Sequence, residues 1–297
     1  MLAVPMPSLE PLRRVSVAIL SCNRREELRA TLRGLLERGP VWGEIIVADN
    51  ASGDGTTEMV RREFPEVRLI ETGGNLGVAG LNQAYRAARG DWILSLDDDS
   101  CPELGTFGPL AAALAAEPDY AAITCSVRAR QTGNEPVVTK LVLAPYAGFH
   151  EAGGLLRRDL IAQLGGFDED LFLWGVETHL ATRALLAGFR LARCDSAVVV
   201  HRATPLNRSS RRHAFHYCRN LFLFLLRHSP PEQERELVQR YLGHALLYTV
   251  LHRTTAYVGA IRDAVRIQRR TRLRAPLSRE QFRALAVDLR APFSYLG

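Results

Sequence analysis

The chain has 297 residues, of which 47% are hydrophobic and 24% are charged; these proportions are typical of a folded domain and argue against a disordered chain. The longest apolar runs, such as residues 221–226, are far shorter than the roughly 20 residues that span a bilayer, and the N-terminus lacks the apolar core of a signal peptide, so we expect a cytoplasmic protein without a membrane span. The net charge of +6 is uneven, because 18 arginines and 6 acidic residues from His201 onward give that segment +12 and leave −6 for the first 200 residues.

Short apolar segments alternate with helical patterns in the first hundred residues. Four of these segments are apolar runs between turn residues, which predicts buried strands. They cover residues 15–20, 44–48, 67–70 and 92–96. Helical patterns follow the first three, and the first helix is predicted to start at Asn23, with Glu26 three positions later as in a capping box. Strand, helix, strand units of this length predict an α/β fold whose mostly parallel sheet has helices on both faces.

Polar residues follow each of the four predicted strands. Asn23 follows the first, Asp49 the second, a glycine-rich loop at residues 73–77 the third, and the run Asp97 to Asp99 the fourth. Ligands of parallel α/β sheets bind beyond the carboxyl ends of the strands. We therefore expect these four features to converge on one rim of the sheet.

The three consecutive aspartates are the strongest chemical signal in this half. Like charges this close repel and raise one another's pKa, and a divalent cation removes that cost. Alternate residues of an extended segment point the same way, so Asp97 and Asp99 are expected to share one hard cation while Asp98 turns elsewhere, toward a ribose hydroxyl. A solvated acidic turn is the alternative for these residues taken alone.

The second half offers two further candidates. A predicted helix at residues 176–187 carries Glu177 in its first turn, just after the aromatic segment 172–174, and a shielded carboxylate is a candidate general base. His201 ends a predicted strand at residues 197–200 and is a candidate neutral metal ligand. An acid that interacts with the helix dipole and a histidine that packs at the rim are the respective structural alternatives.

Five segments, taken in order, resemble the inverting family 2 glycosyltransferases with the GT-A fold. They are VSVAILSCNR, VADNASGDGT, NLGVAGLNQAYRAARGDWILSLDDDS, GGFDEDLFLWGVETHLATRALLAGFRL, and VVVHR followed by HYCRNLFLFLL. The match covers roughly residues 14 to 220. The resemblance implies a Rossmann-like GT-A catalytic domain at residues 1–208, a basic α-helical extension at residues 209–297, and transfer of a sugar from a nucleoside-diphosphate sugar.

The resemblance also implies roles for matching residues. Glu177 matches the base that deprotonates the acceptor hydroxyl. Asp97 and Asp99 look like the D-x-D motif that binds Mg²⁺ or Mn²⁺ against the donor diphosphate, and His201 matches a histidine that ligates the metal in some members. The residues expected to hold the nucleotide are Ser21, Asn23, Arg24, Asp49, Asn75, Gly77 and Asn82, with Asp98 as the ribose contact.

One motif departs from the family pattern. The usual sequence resembles G-E-[ED]-x-D-L, whereas residues 175–180 read GVETHL, so Val176 and His179 replace two of three acids. This departure predicts a changed acceptor. The competing hypothesis is a degenerate GT-A fold that binds carbohydrate or a partner without catalysis.

Other classes fit the sequence less well. A sugar nucleotidylyltransferase needs a glycine-rich basic loop and a phosphate-binding lysine, but the only lysine is Lys140. Dinucleotide and P-loop motifs are absent, and the basic tail lacks the interleaved aromatic residues of a nucleic-acid module.

The partners follow from the same reading. HYCRNLFLFLL resembles rhamnosyl- and galactofuranosyl-type members, which suggests a UDP- or dTDP-linked donor. The acceptor is expected to be a glycan, a lipid-linked intermediate or a small natural product. The basic tail is a candidate for peripheral contact with the inner membrane face, and the stripe Leu242, Leu246, Val250 is a candidate for homodimer formation.

Overall fold

The structure is a computed structural model that describes residues 8–37, 41–115, 119–129, 143–145, 148–202 and 210–296. Its strands are β1 (Val15–Ser21), β2 (Glu44–Asp49), β3 (Arg68–Glu71), β4 (Trp92–Asp97), β5 (Ser100–Pro102), β6 (Ala122–Ala129), β7 (Leu143–Pro145), β8 (Gly154–Arg157) and β9 (Leu191–His201). Its α-helices are α1 (Arg25–Leu36), α2 (Thr56–Glu63), α3 (Leu81–Ala87), α4 (Phe107–Ala115), α5 (Arg158–Leu164), α6 (Val176–Leu186), α7 (Ser210–His228), α8 (Glu234–Leu251), α9 (Ala256–Thr271) and α10 (Arg279–Ala284).

The strands form one sheet in the order β3-β2-β1-β4-β8-β6-β9-β5, with β7 paired to β9. Strands β1 to β4 pair in parallel, as do β6 and β9, and β8 runs antiparallel between β4 and β6. Of the strands in the described residues, β1 to β4, β6 and β9 therefore all run in one direction. The predicted mostly parallel α/β sheet is confirmed.

Two hydrophobic cores cover the two faces of the sheet. Val17 and Ile19 of β1 pack with α1, α2 and α4 on one face, and Ala18 packs with α3 and α7 on the other. This split follows from the strand geometry, because successive side chains point to opposite faces. The prediction of helices on both faces is confirmed, and it explains why the central strands are mostly apolar.

The first helix does not begin as the sequence pattern predicts. Asn23 has a positive φ of 53°, and α1 begins at Arg25 without a side-chain cap. The Asn23 side-chain oxygen accepts a hydrogen bond from the Gly53 backbone N–H at 2.7 Å instead. The predicted capping role of Asn23 is wrong, because this side chain joins the loops that follow β1 and β2.

The C-terminal region is helical, as predicted. Cys218, Leu223 and Phe224 of α7 are fully buried in the same core as Ala18 of β1. The division at residues 208 and 209 stays a prediction, since α7 and the sheet share this core. Within the described residues, every helix is too short or too polar to span a bilayer.

Candidate active site

A cleft of about 680 Å³ opens at the carboxyl ends of β1, β4 and β9. Parallel strands place their ends at this rim, as the sequence predicts. The predicted site residues that line it are Ser21, Asn23, Arg24, Asn75, Gly77, Asp97, Asp98, Asp99, Glu177 and His201. The cleft also takes in Asn50, His150, Glu151, Phe172 and Arg212, none of which the sequence singled out as site residues.

Asp97, Asp99 and His201 form a compact group of possible metal ligands. One ligand atom from each lies within 4.8 Å of the other two. His201 Nε2 is 2.9 Å from Asp99 Oδ1 and 3.5 Å from Asp97 Oδ2, because the pairing of β5 with β9 sets Ser100 opposite His201. Two carboxylates and one imidazole suit a divalent cation such as Mn²⁺, which accepts oxygen and nitrogen ligands. The residues therefore fit the metal that the sequence predicts.

Arg24 and Ser21 contact these aspartates directly. Arg24 Nη2 is 2.6 Å from Asp99 Oδ2 and Arg24 Nε is 3.0 Å from Asp98 Oδ1, while the Ser21 hydroxyl donates to Asp98 Oδ2 at 3.0 Å. Burial raises the pKa of Asp98 to about 7, against the opposing effect of Arg24. Asp98 does turn away from the other two aspartates, but its oxygens face Ser21 and Arg24; its role as a ribose contact stays a prediction.

A buried network fixes the backbone of the aspartate turn. The Thr31 hydroxyl of α1 donates to the Asp98 carbonyl oxygen at 2.7 Å. The Arg202 backbone N–H donates to the Asp99 carbonyl at 2.9 Å, and Arg202 Nη2 donates to Thr31 Oγ1 at 2.8 Å. Arg202 also pairs with Glu27 of α1, at 3.1 Å. The end of β9 therefore supplies both a candidate ligand, His201, and the adjacent side chain that holds the turn.

Glu177 faces the cleft from the first turn of α6. Burial raises its pKa, and Asp97 adds to the effect, whereas backbone hydrogen bonds and His150 oppose it. Glu151 lies in the same cleft, where burial raises its pKa well above the usual value and Asp97 and Glu177 raise it further. A raised pKa makes an ionised carboxylate a stronger proton acceptor, which suits a general base. No motif surrounds Glu151, which is why the sequence did not reveal it.

The loop before Glu177 is held by α7. Asn220 Nδ2 donates to the carbonyl oxygens of Leu173, at 2.9 Å, and Trp174, at 2.8 Å. The Trp174 ring stacks on His213 with ring centroids 4.2 Å apart. The segment HYCRN in α7 thus positions the aromatic loop, a role that its sequence alone did not suggest.

The same loop touches the glycine-rich loop across the cleft. The Val78 N–H donates to the Phe172 carbonyl oxygen at 2.8 Å. Gly77 has a φ of +61°, and a Cβ at this position would overlap that carbonyl oxygen. Glycine is required here by both the backbone conformation and the close approach.

The two departures from the family motif lie in the core. Val176 and His179 are 2% and 3% exposed, and neither lines the cleft. His179 Nε2 donates to the Asn220 carbonyl oxygen at 2.9 Å, and burial lowers the His179 pKa to about 3, so the ring is neutral. Both replacements therefore lie in the core, and Glu177 still lines the cleft.

Two predicted nucleotide residues lie outside the lining of the cleft. Asn82 is buried and exchanges two hydrogen bonds with the Phe167 backbone, at 2.8 and 2.9 Å; its predicted place in the pocket lining is corrected to a structural one, since both ends of its amide are occupied. Asp49 is 2% exposed and accepts from the Ser52 N–H at 2.9 Å. The next residue, Asn50, lines the cleft instead and donates to the Gly77 carbonyl at 2.8 Å.

Solved structures match the fold of the chain. A mannosyltransferase from Pyrobaculum calidifontis, solved with GDP-mannose and Mn²⁺, is 20% identical with a TM-score of 0.58, over 99% of this chain and 90% of that one. Residues 1–349 of Staphylococcus aureus TarS, solved with UDP-GlcNAc, are 16% identical with a TM-score of 0.56, over 95% and 90% of the two chains. At these identities the likeness shows the fold, and both structures hold nucleotide-sugar donors.

Sequence comparison gives the family. An N-acetylglucosaminyl-diphospho-decaprenol L-rhamnosyltransferase of Mycobacterium tuberculosis is 26% identical over 250 residues, covering 69% of this chain and 80% of the relative. An uncharacterized glycosyltransferase of Haemophilus influenzae is 34% identical over 88 residues, covering 29% and 30%. The model of Glycosyl transferase family 2 matches residues 16–167, about half of the chain. The chain therefore belongs to glycosyl transferase family 2, and it is a glycosyltransferase with a GT-A fold.

Proposed function

We propose that this glycosyltransferase catalyses metal-dependent transfer with inversion, from a UDP- or dTDP-linked sugar to an acceptor hydroxyl. The observation that carries the proposal is the placement of Glu177 and the group Asp97, Asp99, His201 in one cleft. A metal-ligand group and a partly buried carboxylate in the same cleft match what a single displacement requires. One base is enough for inversion, whereas a retaining glycosidase uses a carboxylate pair.

Asp97, Asp99 and His201 would hold Mg²⁺ or Mn²⁺ next to the donor diphosphate. The cation supplies a positive charge that stabilises the leaving nucleoside diphosphate. Arg24 and the Thr31–Arg202 network keep Asp99 oriented before the donor arrives, so the carboxylates do not have to reorganise on binding. Glu177 accepts the proton of the acceptor hydroxyl as that oxygen attacks the anomeric carbon.

The end of β2 supports a uracil or thymine base. Asp49 Oδ1 is buried and has no hydrogen-bond partner among the described residues. A buried acceptor without a partner is costly, and the imide N–H of uracil or thymine, like the ring N–H of guanine, supplies a donor of the required kind, so the choice of uracil or thymine rests on the family resemblance. Ser21, Asn23, Arg24, Asn75 and Gly77 remain the proposed surroundings of the nucleotide.

The acceptor is proposed to be lipid-linked. The Mycobacterium tuberculosis relative is named for a decaprenol diphosphate acceptor, and the basic C-terminal helices of this chain suit an acceptor held at an anionic membrane surface. A glycan chain or a small natural product is the alternative acceptor.

Thermal unfolding of the purified protein with UDP, dTDP, GDP or CDP, each with and without Mn²⁺, tests the donor site. We expect UDP or dTDP to raise the unfolding temperature only when Mn²⁺ is present, because the diphosphate binds through the metal. The shift should disappear in Asp99→Asn and persist in the control Asp91→Asn, whose carboxylate pairs with Arg14 away from the cleft. If no nucleotide shifts the transition, the degenerate, non-catalytic fold becomes the better description.

A further inference from the structure

Helix α8 exposes large apolar side chains along one face. Leu246 is 65% exposed, Val250 67% and Leu251 62%, and Leu242 and Leu247 are also exposed. The opposite face is packed, since Tyr241 and Ala245 are fully buried and Tyr241 stacks against Phe222 of α7. Contiguous exposed apolar patches are uncommon on soluble proteins and mark sites of interaction.

The next helix, α9, exposes a basic stripe. Arg262, Arg266 and Arg269 are exposed and lie on one side at helical spacing, together with the exposed Val258. The only acid of α9, Asp263, pairs with Arg219 of α7 at 3.3 Å and with Arg266 of the stripe at 3.8 Å, which leaves Arg262 and Arg269 as the arginines to test. The turn at residues 252–255 joins the two helices, so the apolar residues at the end of α8 are followed directly by Val258 and the arginines. We call these exposed side chains of the two helices the α8–α9 surface.

We infer that the α8–α9 surface docks on an anionic lipid bilayer. Exposed leucine and valine side chains gain free energy by entering the boundary between headgroups and acyl chains, and arginines beside them bind lipid phosphates. A bilayer thus offers an apolar layer for the leucines and valines and an anionic surface for the arginines. A symmetric dimer through the whole of this surface would instead enclose the arginine stripes of both copies in one interface, because both copies contribute the same patch.

The distribution of charge over the chain favours the same occupant. The segment from His201 onward carries +12 and the first 200 residues carry −6. An anionic surface therefore attracts the helical region and repels the half that carries Asp97 and Asp99. This separation orients the protein before contact, since the field of a charged surface acts over about one Debye length, roughly 8 to 10 Å at physiological salt.

Co-sedimentation with vesicles tests the inference directly. Phosphatidylcholine vesicles and vesicles that also contain phosphatidylglycerol are compared at low and high salt, using the full chain. We expect binding to the anionic vesicles that weakens with salt. Arg262→Gln with Arg269→Gln should weaken it roughly 30-fold, at about fivefold for each arginine near the surface, and Leu246→Gln with Val250→Gln should weaken it by about tenfold or more.

The matched control for charge is Arg86→Gln with Arg89→Gln, which removes two exposed arginines that lie outside the C-terminal helices α7 to α10. This control variant should bind vesicles as the unchanged protein does. Sedimentation equilibrium of the same variants measures the oligomeric state. Equal vesicle binding by the α8–α9 variants and the control would overturn the inference. So would a leucine variant that lowers the oligomeric mass and keeps its vesicle binding, since that result assigns the surface to a second copy of the chain.

The lipid-linked acceptor rests on the proposed function, but docking itself does not. The Mn²⁺-dependent nucleotide shift should be the same in the unchanged protein and in all three double variants. Vesicle binding without any nucleotide shift would reject the proposed transfer reaction and retain the docking surface. A nucleotide shift without vesicle binding would reject the docking surface and leave the proposed transfer reaction standing.

Discussion

At the scale of single residues, a substitution of Glu177 tests the transfer step separately from donor binding. Its carboxylate lines the cleft, and the metal-ligand group is formed by other residues. We expect Glu177→Gln to lower kcat by roughly 10²- to 10⁴-fold, which is the usual contribution of a general base. The Mn²⁺-dependent nucleotide shift should be unchanged. Transfer at the full rate in this variant would remove Glu177 from the mechanism.

The pH dependence of transfer provides a second test at this residue. Burial raises the pKa of Glu177 above its ordinary value of 4.5, and a base must be ionised to act. The rate should therefore fall, as pH decreases, through a pKa higher than 4.5. Nucleotide affinity measured over the same pH range separates this loss from protonation of the metal ligands; affinity that falls in parallel with the rate would assign the acid limb to the donor site.

Only part of the candidate site could be predicted from the sequence. Asp97, Asp99 and Glu177 stand in recognisable motifs, so their convergence is predictable. Glu151 and Arg212 are brought to the cleft by tertiary folding and have no characteristic neighbours in the sequence. Asn82 is the reverse case, because it lies in a recognisable segment and was predicted to line the nucleotide pocket. Its side-chain amide instead makes two hydrogen bonds with the Phe167 backbone.

At the scale of secondary-structure elements, α7 controls the aromatic loop through Asn220. Replacing Asn220 by Leu leaves the Leu173 and Trp174 carbonyls without their donor. We expect the free energy of unfolding to fall by about 1–3 kcal/mol, and transfer to decrease more than nucleotide binding, because the loop leads into Glu177.

The matched control for Asn220→Leu is Tyr241→Phe. This variant also removes a buried hydrogen bond to backbone, from the Tyr241 hydroxyl to the Cys218 carbonyl of α7 at 2.9 Å, but it leaves the aromatic loop in place. Denaturant unfolding and single-turnover transfer measure the two effects. Equal loss of transfer in both variants would show that Asn220 acts through the stability of α7 alone.

Elements buried on both sides were the most predictable part of the fold. The predicted strands at residues 15–20, 44–48 and 92–96 differ from β1, β2 and β4 by one residue each, because continuous apolar runs are diagnostic of central parallel strands. Strand β9 begins at Leu191, six residues before the predicted start. Arg193 and Asp195 interrupt the apolar pattern of β9 and pair with each other at 2.7 Å. The first half of β9 could therefore not be recognised as a strand from the sequence.

At the scale of the whole molecule, two buried histidines link stability to pH. Burial lowers the pKa of His179 to about 3 and that of His228 to about 4. Below about pH 6.5 the unfolded chain takes up protons at these residues while the folded protein does not, so stability is lost as pH falls.

The expected slope is about 1.4 kcal/mol per pH unit for each histidine, from about pH 6.5 down to its folded pKa. Denaturant unfolding at several pH values between 7 and 4 measures this slope. His179→Gln should show a smaller slope than the unchanged protein, whatever its stability at pH 7. Identical slopes would contradict the assignment of acid sensitivity to His179.

The long separation between the metal-ligand residues has a consequence for synthesis on the ribosome. Strands β1 to β4 pair among themselves, and these strands, with Asp97 and Asp99, lie within about the first hundred residues that the ribosome makes. His201 and Arg202 emerge a hundred residues later, and Asn220 later still. The group Asp97, Asp99, His201 and the support of the aromatic loop are therefore complete only when the last strand and α7 join the sheet.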